Sequence, residues 1–205
     1  MNTNDYRSDP CRASSLPFWK TEHLVLPESI GIFREDEYDS AICPGLDEPY
    51  FRLRHDLTRI PDLALPKDTG LVSCDAQGYA EHICEGYTQV RISAAELAAY
   101  PSHPVYDPSL WIAVGDRASG RVVATGIGEL DDRIGEGILE WIQVSPGFRR
   151  KGLGAFVVCE LLRRMRGRAA FATVSGRVRN ETHPFDLYRF CGFTDPVIWH
   201  VVRRT

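Results

Sequence analysis

The chain has 205 residues, 43% hydrophobic and 25% charged, a balance that suits a globular protein with one well-buried domain and room for an appended lobe. No apolar stretch approaches the ~20 residues that cross a bilayer, and Met1-Asn-Thr-Asn-Asp-Tyr-Arg7 has no apolar core, so neither a membrane span nor a signal peptide is expected. The net charge is -4 and the basic residues lack interleaved exposed aromatics, which disfavours nucleic acid as a partner.

In chain order, residues 1–22 are polar and proline-punctuated and read as an extended arm, with Trp19 packing onto the body. Residues 29–38 and 50–57 alternate apolar and polar side chains, the pattern of half-buried strands, and read as a pair joined across Pro44-Gly45. Pro61 and Pro66 mark a linker. A short strand over 70–74 is followed by Asp75 as N-cap of a helix near 76–87. Ser93-Ala-Ala-Glu96 has capping-box spacing and opens a second helix, running to about Tyr100. Strands over 110–114 and 121–129 flank the turn 116–120, and a third covers 137–144. A helix over 153–166, a strand over 170–174, a helix over 184–190 and a strand over 197–202 complete the order. The pattern divides the chain into residues 1–69, an arm with a small β lobe, and an α/β domain over 70–205.

Six cysteines without C-x-x-C spacing argue against a zinc site or a disulfide framework and suit a reducing cytoplasm. No His partner can be named for a catalytic thiol, and Cys159 reads as core. The six histidines show no i, i+4 pair, so no metal is expected, and His183 before Pro184 reads as a capping or surface residue. Charge is unevenly spread: residues 141–205 hold 12 Lys/Arg against 4 Asp/Glu, and residues 1–140 hold 12 against 24. A basic C-terminal part suits a phosphate-rich ligand, and an acidic remainder weakly favours a cationic amine such as a polyamine, an aminoglycoside or a peptide N-terminus.

The most informative segment is Val144-Ser-Pro-Gly-Phe-Arg149-Arg150-Lys151-Gly152-Leu153-Gly154-Ala155, between an apolar strand and an amphipathic helix. Glycines let backbone approach a ligand, and a helix N-terminus offers unpaired N–H groups at a positive dipole end. Added cations make a site for a polyanion, most simply a pyrophosphate. The spacing fits neither the nucleotide-hydrolase phosphate loop nor the three-glycine dinucleotide turn. It does fit Arg-x-x-Gly-x-Gly, with Arg149, Gly152 and Gly154. Downstream stands Asn180…Leu187-Tyr188-Arg-Phe-Cys-Gly192-Phe193.

Together these segments resemble the GNAT acetyltransferase superfamily over roughly residues 70–205. The resemblance implies an α/β GNAT fold, a mixed central sheet flanked by helices, here with an N-terminal β-rich extension. It implies acetyl-CoA held at its pyrophosphate by backbone from Arg149 through Arg150, Lys151, Gly152, Leu153 and Gly154 to Ala155. Strand backbone near Ile142 to Val144 would pair with the pantetheine arm, and Asn180 would touch it. Tyr188 would protonate the leaving thiolate. Family members often place a carboxylate on the strand before the loop, as general base; Glu136 and Glu140 both qualify, four apart on one face. Glu140, deeper in the apolar run beside Trp141, ranks first, with a pKa raised toward working pH by partial burial.

The function that follows is acetyl transfer to a primary amine, of a small molecule or a peptide, by direct transfer in a ternary complex. The alternative is a non-catalytic acyl-CoA-binding sensor or partner-binding module, which would need neither Tyr188 nor a strand carboxylate. A cytoplasmic protein is expected; the resemblance also admits a homodimer through edge strands, though no interface signature marks one. Arg163, Arg164, Arg166 and Arg168 read as cations at the negative end of the helix dipole. Residues 1–69 match no known pattern and would shape the acceptor side.

Overall fold

The computed structural model describes residues 2–86 and 91–204. Its strands are β1 (Ile30–Arg34), β2 (Leu46–His55), β3 (Thr69–Leu71), β4 (Tyr106–Asp116), β5 (Val122–Asp131), β6 (Glu136–Val144), β7 (Phe171–Arg177) and β8 (Thr194–Arg203). They form one eight-stranded sheet in the order β1-β8-β2-β7-β6-β5-β4-β3. Only β6 and β7 run parallel; the other neighbours are antiparallel. The helices are α1 (Thr3–Ser8), α2 (Pro10–Ala13), α3 (Phe18–His23), α4 (Ala76–Gly86), α5 (Ala94–Ala98), α6 (Leu153–Met165) and α7 (Pro184–Phe190). This is the mixed α/β sheet flanked by helices that the element order implies. Among the described residues no helix is long and apolar enough to cross a membrane.

Local chemistry explains where several helices start. Asp75 Oδ1 accepts from Gly78 N at 2.9 Å, opening α4; the expected end of that helix at Tyr87 lies outside the described residues. Ser93 and Glu96 make both bonds of the capping box at α5. Pro184 takes the first turn of α7, where a missing N–H costs nothing.

Two expectations for the N-terminal part are corrected. The segment expected as an extended arm over 1–22 is not extended: its described residues, 2–22, wind into the helical turns α1, α2 and the start of α3, with Asn2 and Asp9 side chains capping the first two. Each helix is four to six residues long, too short for a helical period to show in the sequence. Nor do β1 and β2 pair with each other, because β8 lies between them and binds both. The connection crosses the end of β8 so closely that a Cβ on Gly45 would stand 2.4 Å from the Arg203 carbonyl oxygen.

The two faces of the sheet are covered differently. On one, Phe156, Val157, Leu161, Leu162 and Met165 of α6 pack on Leu110, Ile112, Val114 and Leu139, the i, i+4 stripe of a core-facing helix. On the other, α4 and α5 lie over Ala113 and Ile127, while α1 to α3 lie over Ile138 and Phe171.

A buried polar cluster fastens α1 and α3 to this second face. Glu136 is fully buried; its Oε1 accepts from Tyr6 Oη (2.7 Å), Thr173 Oγ1 (2.6 Å) and Arg52 Nη2 (3.1 Å), and its Oε2 from Phe18 N (3.0 Å). Burial, ahead of the neighbouring charges, pushes the Tyr6 hydroxyl well above its ordinary range. Breaking such a pair by removing one partner costs about 3–5 kcal/mol, because the other charge stays buried.

Candidate active site

The parallel pairing of β6 with β7 stops after four residues, Glu136–Leu139 against Phe171–Val174. Beyond Leu139 the two strands part, and the later residues of β6 turn an edge without ladder partners toward the gap. A β-bulge lies at the same point: Ile127 pairs with Glu140 and Thr125 with Gln143, so Trp141 and Ile142 face Gly126 alone. Trp141 takes φ +44°, which is unusual for a bulky residue and is held by an indole bond to Tyr100 Oη at 3.1 Å. The bulge leaves Glu140 and Trp141 on the α3–α5 face and turns Ile142 and Val144 toward α6.

The gap leads to the loop between β6 and α6. Gly152, at φ +87°, is the N-cap of α6 and has no side chain to cap it. The helical ladder begins with Phe156 N on Gly152 O at 2.9 Å, so the amides of Leu153, Gly154 and Ala155 face outward without helical partners. A Cβ on Gly154 would stand 3.3 Å from Leu187 of α7, so glycine keeps the two helices close. Arg149 turns inward, its Nε donating to Val144 O at 3.0 Å. Arg150 adopts φ +61° at the exposed turn, and Lys151 lies 4.9 Å over the Phe148 ring. Uncapped amides, a glycine at positive φ and flanking cations fit a pyrophosphate-bearing ligand such as acetyl-CoA.

Tyr188 is buried on the α6 side, edge-on to Phe51 (6.1 Å) and Phe193 (5.7 Å). Asn180 stands in the loop before α7, but its Oδ1 already accepts from Thr182 N (2.9 Å) and Oγ1 (2.8 Å). Only its amide NH2 is left for a ligand. His183 is exposed at the N-cap of α7 and makes no side-chain cap bond.

The two strand carboxylates have different surroundings. Glu136 is sealed in the cluster with Arg52 and Tyr6. Glu140 is a quarter exposed, and its Oε1 binds Lys20 Nζ at 2.5 Å. Burial alone would lower the Lys20 ammonium, but Glu140 and then Glu129 outweigh it and hold it above its usual range. Glu129, on β5 opposite Ile138, is the carboxylate pushed up: burial first, then Glu140, raise it to about 7, against Lys20 and a 3.0 Å bond from Trp19 Nε1.

Beside Glu140 a cavity of about 370 Å³ opens under the point where β6 and β7 part. Leu139, Glu140, Val174 and Ser175 form its inner wall, α3 and its approach supply Leu16 and Lys20, and Ile32, Tyr50 and Trp199 form the far wall. Its lining draws on both sides of residue 69.

The sequence profile of the acetyltransferase (GNAT) family matches residues 80–193. The chain belongs to that family. Among solved structures the GNAT fold recurs at low identity. A GCN5-related N-acetyltransferase from Sphaerobacter thermophilus shares 18% identity at a TM-score of 0.66 and covers 86% of this chain. The chain spans 60% of that protein's length. A putative GNAT acetyltransferase from Novosphingobium aromaticivorans shares 12% identity (TM-score 0.55), over 89% of this chain and 70% of its own. Ard1 from Thermoplasma volcanium shares 15% (TM-score 0.52), over 66% of this chain and 98% of its own. Among curated proteins none matched.

Several polar residues around this candidate site escape sequence reasoning. Lys20 and Glu129 sit next to or opposite apolar positions and carry no motif. His82 of α4 bridges Thr125 Oγ1 (Nδ1, 2.8 Å) and Ser145 Oγ (Nε2, 3.1 Å), and Ser145 also bonds Glu85 at 3.0 Å. Burial lowers the His82 pKa, which suits a neutral ring in this chain of bonds. The i, i+3 spacing of His82 and Glu85 on a helix was the available signal. The four arginines in the last turn of α6 and just after it tie down neighbouring segments: Arg163 bonds Pro61 O, Arg166 Leu57 O, and Arg164 and Arg168 the start of β4 at Asp107–Ser109. Among the described residues no group of three His, Cys, Asp or Glu side chains stands close enough to hold a metal ion.

Proposed function

We propose that this GNAT protein is an N-acetyltransferase that moves an acetyl group from acetyl-CoA to a primary amine directly, in a ternary complex. The observation that carries it is the parting of β6 from β7 at Leu139, with the uncapped start of α6 at one end and Glu140 beside it. Acetyl-CoA would supply the activated acyl group. The amides of Leu153, Gly154 and Ala155, with Arg149, Arg150 and Lys151 around them, would bind its pyrophosphate. The free edge of β6 from Ile142 to Val144 would align its pantetheine arm, with the Asn180 NH2 group nearby.

Glu140 takes the proton of the acceptor amine on the α3–α5 side, and Tyr188 gives one to the departing sulfur on the α6 side. The amide C–N bond replaces the thioester C–S bond, so protons and electron pairs balance. Glu136, the second carboxylate of the sequence argument, is assigned to structure: it is fully buried and both its oxygens are engaged. The Lys20 ion pair on Glu140 also suits a second reading, a non-catalytic acyl-CoA binder whose carboxylate is permanently neutralised. Free-thiol release from acetyl-CoA, measured against a panel of amines, separates them. Amine-dependent release supports the transferase; tight binding without release under any amine supports the binder.

A further inference from the structure

Glu140 is the only carboxylate among the residues lining the cavity under the parted strands; Lys20 and Arg52 are the other charged side chains there. Both cations are already answered, Lys20 by Glu140 and Arg52 by Glu136 just behind the wall. Lys20 occupies Oε1 of Glu140, and Oε2 takes no hydrogen bond among the described residues. The cavity therefore offers one carboxylate oxygen and no further negative charge. The rest of the wall is largely apolar, with Leu16, Pro17, Leu26, Ile32 and Trp199 facing the space. At about 370 Å³ it is at the small end of ligand pockets, which run to about 1,000 Å³.

From this geometry we infer that the acceptor is a small primary amine with one positive charge on an apolar or aromatic body. The inference rests on the acetyl-transfer reading and deepens it. The amine nitrogen meets Glu140 at the strand fork, while the apolar body lies against Ile32 and Trp199 and leaves water. A second ammonium would face Lys20 and Arg52 with no counter-charge, so like-charge repulsion rejects polyamines and aminoglycosides. The acidic surplus of residues 1–140 is not what the acceptor meets: within this cavity cations outnumber carboxylates.

The test is thiol release from acetyl-CoA by the full chain with 2-phenylethylamine, hexylamine, spermidine, an aminoglycoside and a peptide with a free N-terminal alanine. The expected result is a kcat/KM at least about tenfold higher for the two monoamines. Spermidine, the aminoglycoside or the peptide matching or exceeding them overturns the inference and leaves the transferase reading standing. Acetyl-CoA binding with no release under any amine removes both. As a second readout, Ile32→Asp should cut kcat/KM for hexylamine about tenfold or more with acetyl-CoA affinity unchanged, while Ile32→Leu retains it. If Ile32→Asp does not fold by circular dichroism, Leu26→Asp at the more exposed rim replaces it; wild-type turnover in a folded Asp variant counts against the cavity.

Discussion

Lys20 Nζ lies 2.5 Å from Glu140 Oε1, although 120 residues separate them in the chain. The pair brings an ammonium from α3 to the carboxylate at the strand fork, where the acceptor amine of the proposed reaction would also arrive. Replacing Lys20 by Met removes a competing positive charge and leaves the hydrocarbon stem. KM for an amine acceptor should then fall roughly fivefold, the equivalent of ~1 kcal/mol. Steady-state kinetics at fixed acetyl-CoA checks this; a KM that stays the same or rises would show that Lys20 shapes the site and does not compete for it.

The two carboxylates of β6 should separate cleanly in mutants. Glu140→Gln is expected to cut turnover by about a hundredfold or more with small loss of stability, as removal of a general base does. Glu136→Gln should do the reverse: it leaves the Arg52 charge buried without its counter-charge and costs about 3 kcal/mol, with turnover per folded molecule within about threefold of the parent. Urea titration gives the first quantity and thiol release the second. Equal turnover losses in both variants would restore Glu136 as a candidate base.

Tyr188→Phe keeps the ring that packs edge-on to Phe51 and Phe193 and deletes only the hydroxyl. Turnover should drop about a hundredfold while the dissociation constant of CoA, read by calorimetry, stays within error. Unchanged turnover across pH 6 to 9 removes Tyr188 from the mechanism.

Glu129 makes stability depend on pH with a definite sign. Its folded pKa, about 7, lies above the ordinary carboxyl value, so near pH 6 the folded state keeps a proton that the unfolded chain has lost. Stability from this group is therefore full at low pH and is lost as pH rises toward 7. His82 and His55, both lowered by burial, act oppositely and lose stability as pH falls below about 6.5. Glu129→Gln keeps an acceptor for Trp19 Nε1 and carries no charge at any pH. Relative to the parent, the variant should gain stability by about 1–3 kcal/mol between pH 5 and 7.5, measured by thermal unfolding. A difference that does not change with pH counts against a raised Glu129.

What could be read from the sequence was local. Asp75 and the Ser93–Glu96 box make their bonds within three residues, so short spacing was enough to place α4 and α5. Gly152 sits at the start of α6 because its positive φ is needed there, and Gly154 because a side chain would press on Leu187. Whatever depends on distant pairing was hidden: β8 inserting between β1 and β2, Lys20 reaching Glu140, and Arg52 reaching Glu136 across β7. The bulge at Trp141 was equally invisible, since a single positive φ leaves no periodic trace. It matters because the same-face argument for Glu136 and Glu140 holds only up to that residue.

The four-residue parallel ladder between β6 and β7 also divides the sheet mechanically. On one side stand β3 to β6, on the other β7, β2, β8 and β1, and among the described residues this short ladder is the strand pairing that joins them. Tyr6, Phe18 and the Arg52–Glu136 pair stitch across it from above, binding β6, β7 and β2 at once. Residues 3–23 thus act as a clasp on one face of the seam, while the core under α6, which takes in Phe51, Leu53, Ala172 and Val174 as well as Leu110, Ile112 and Leu139, spans it on the other.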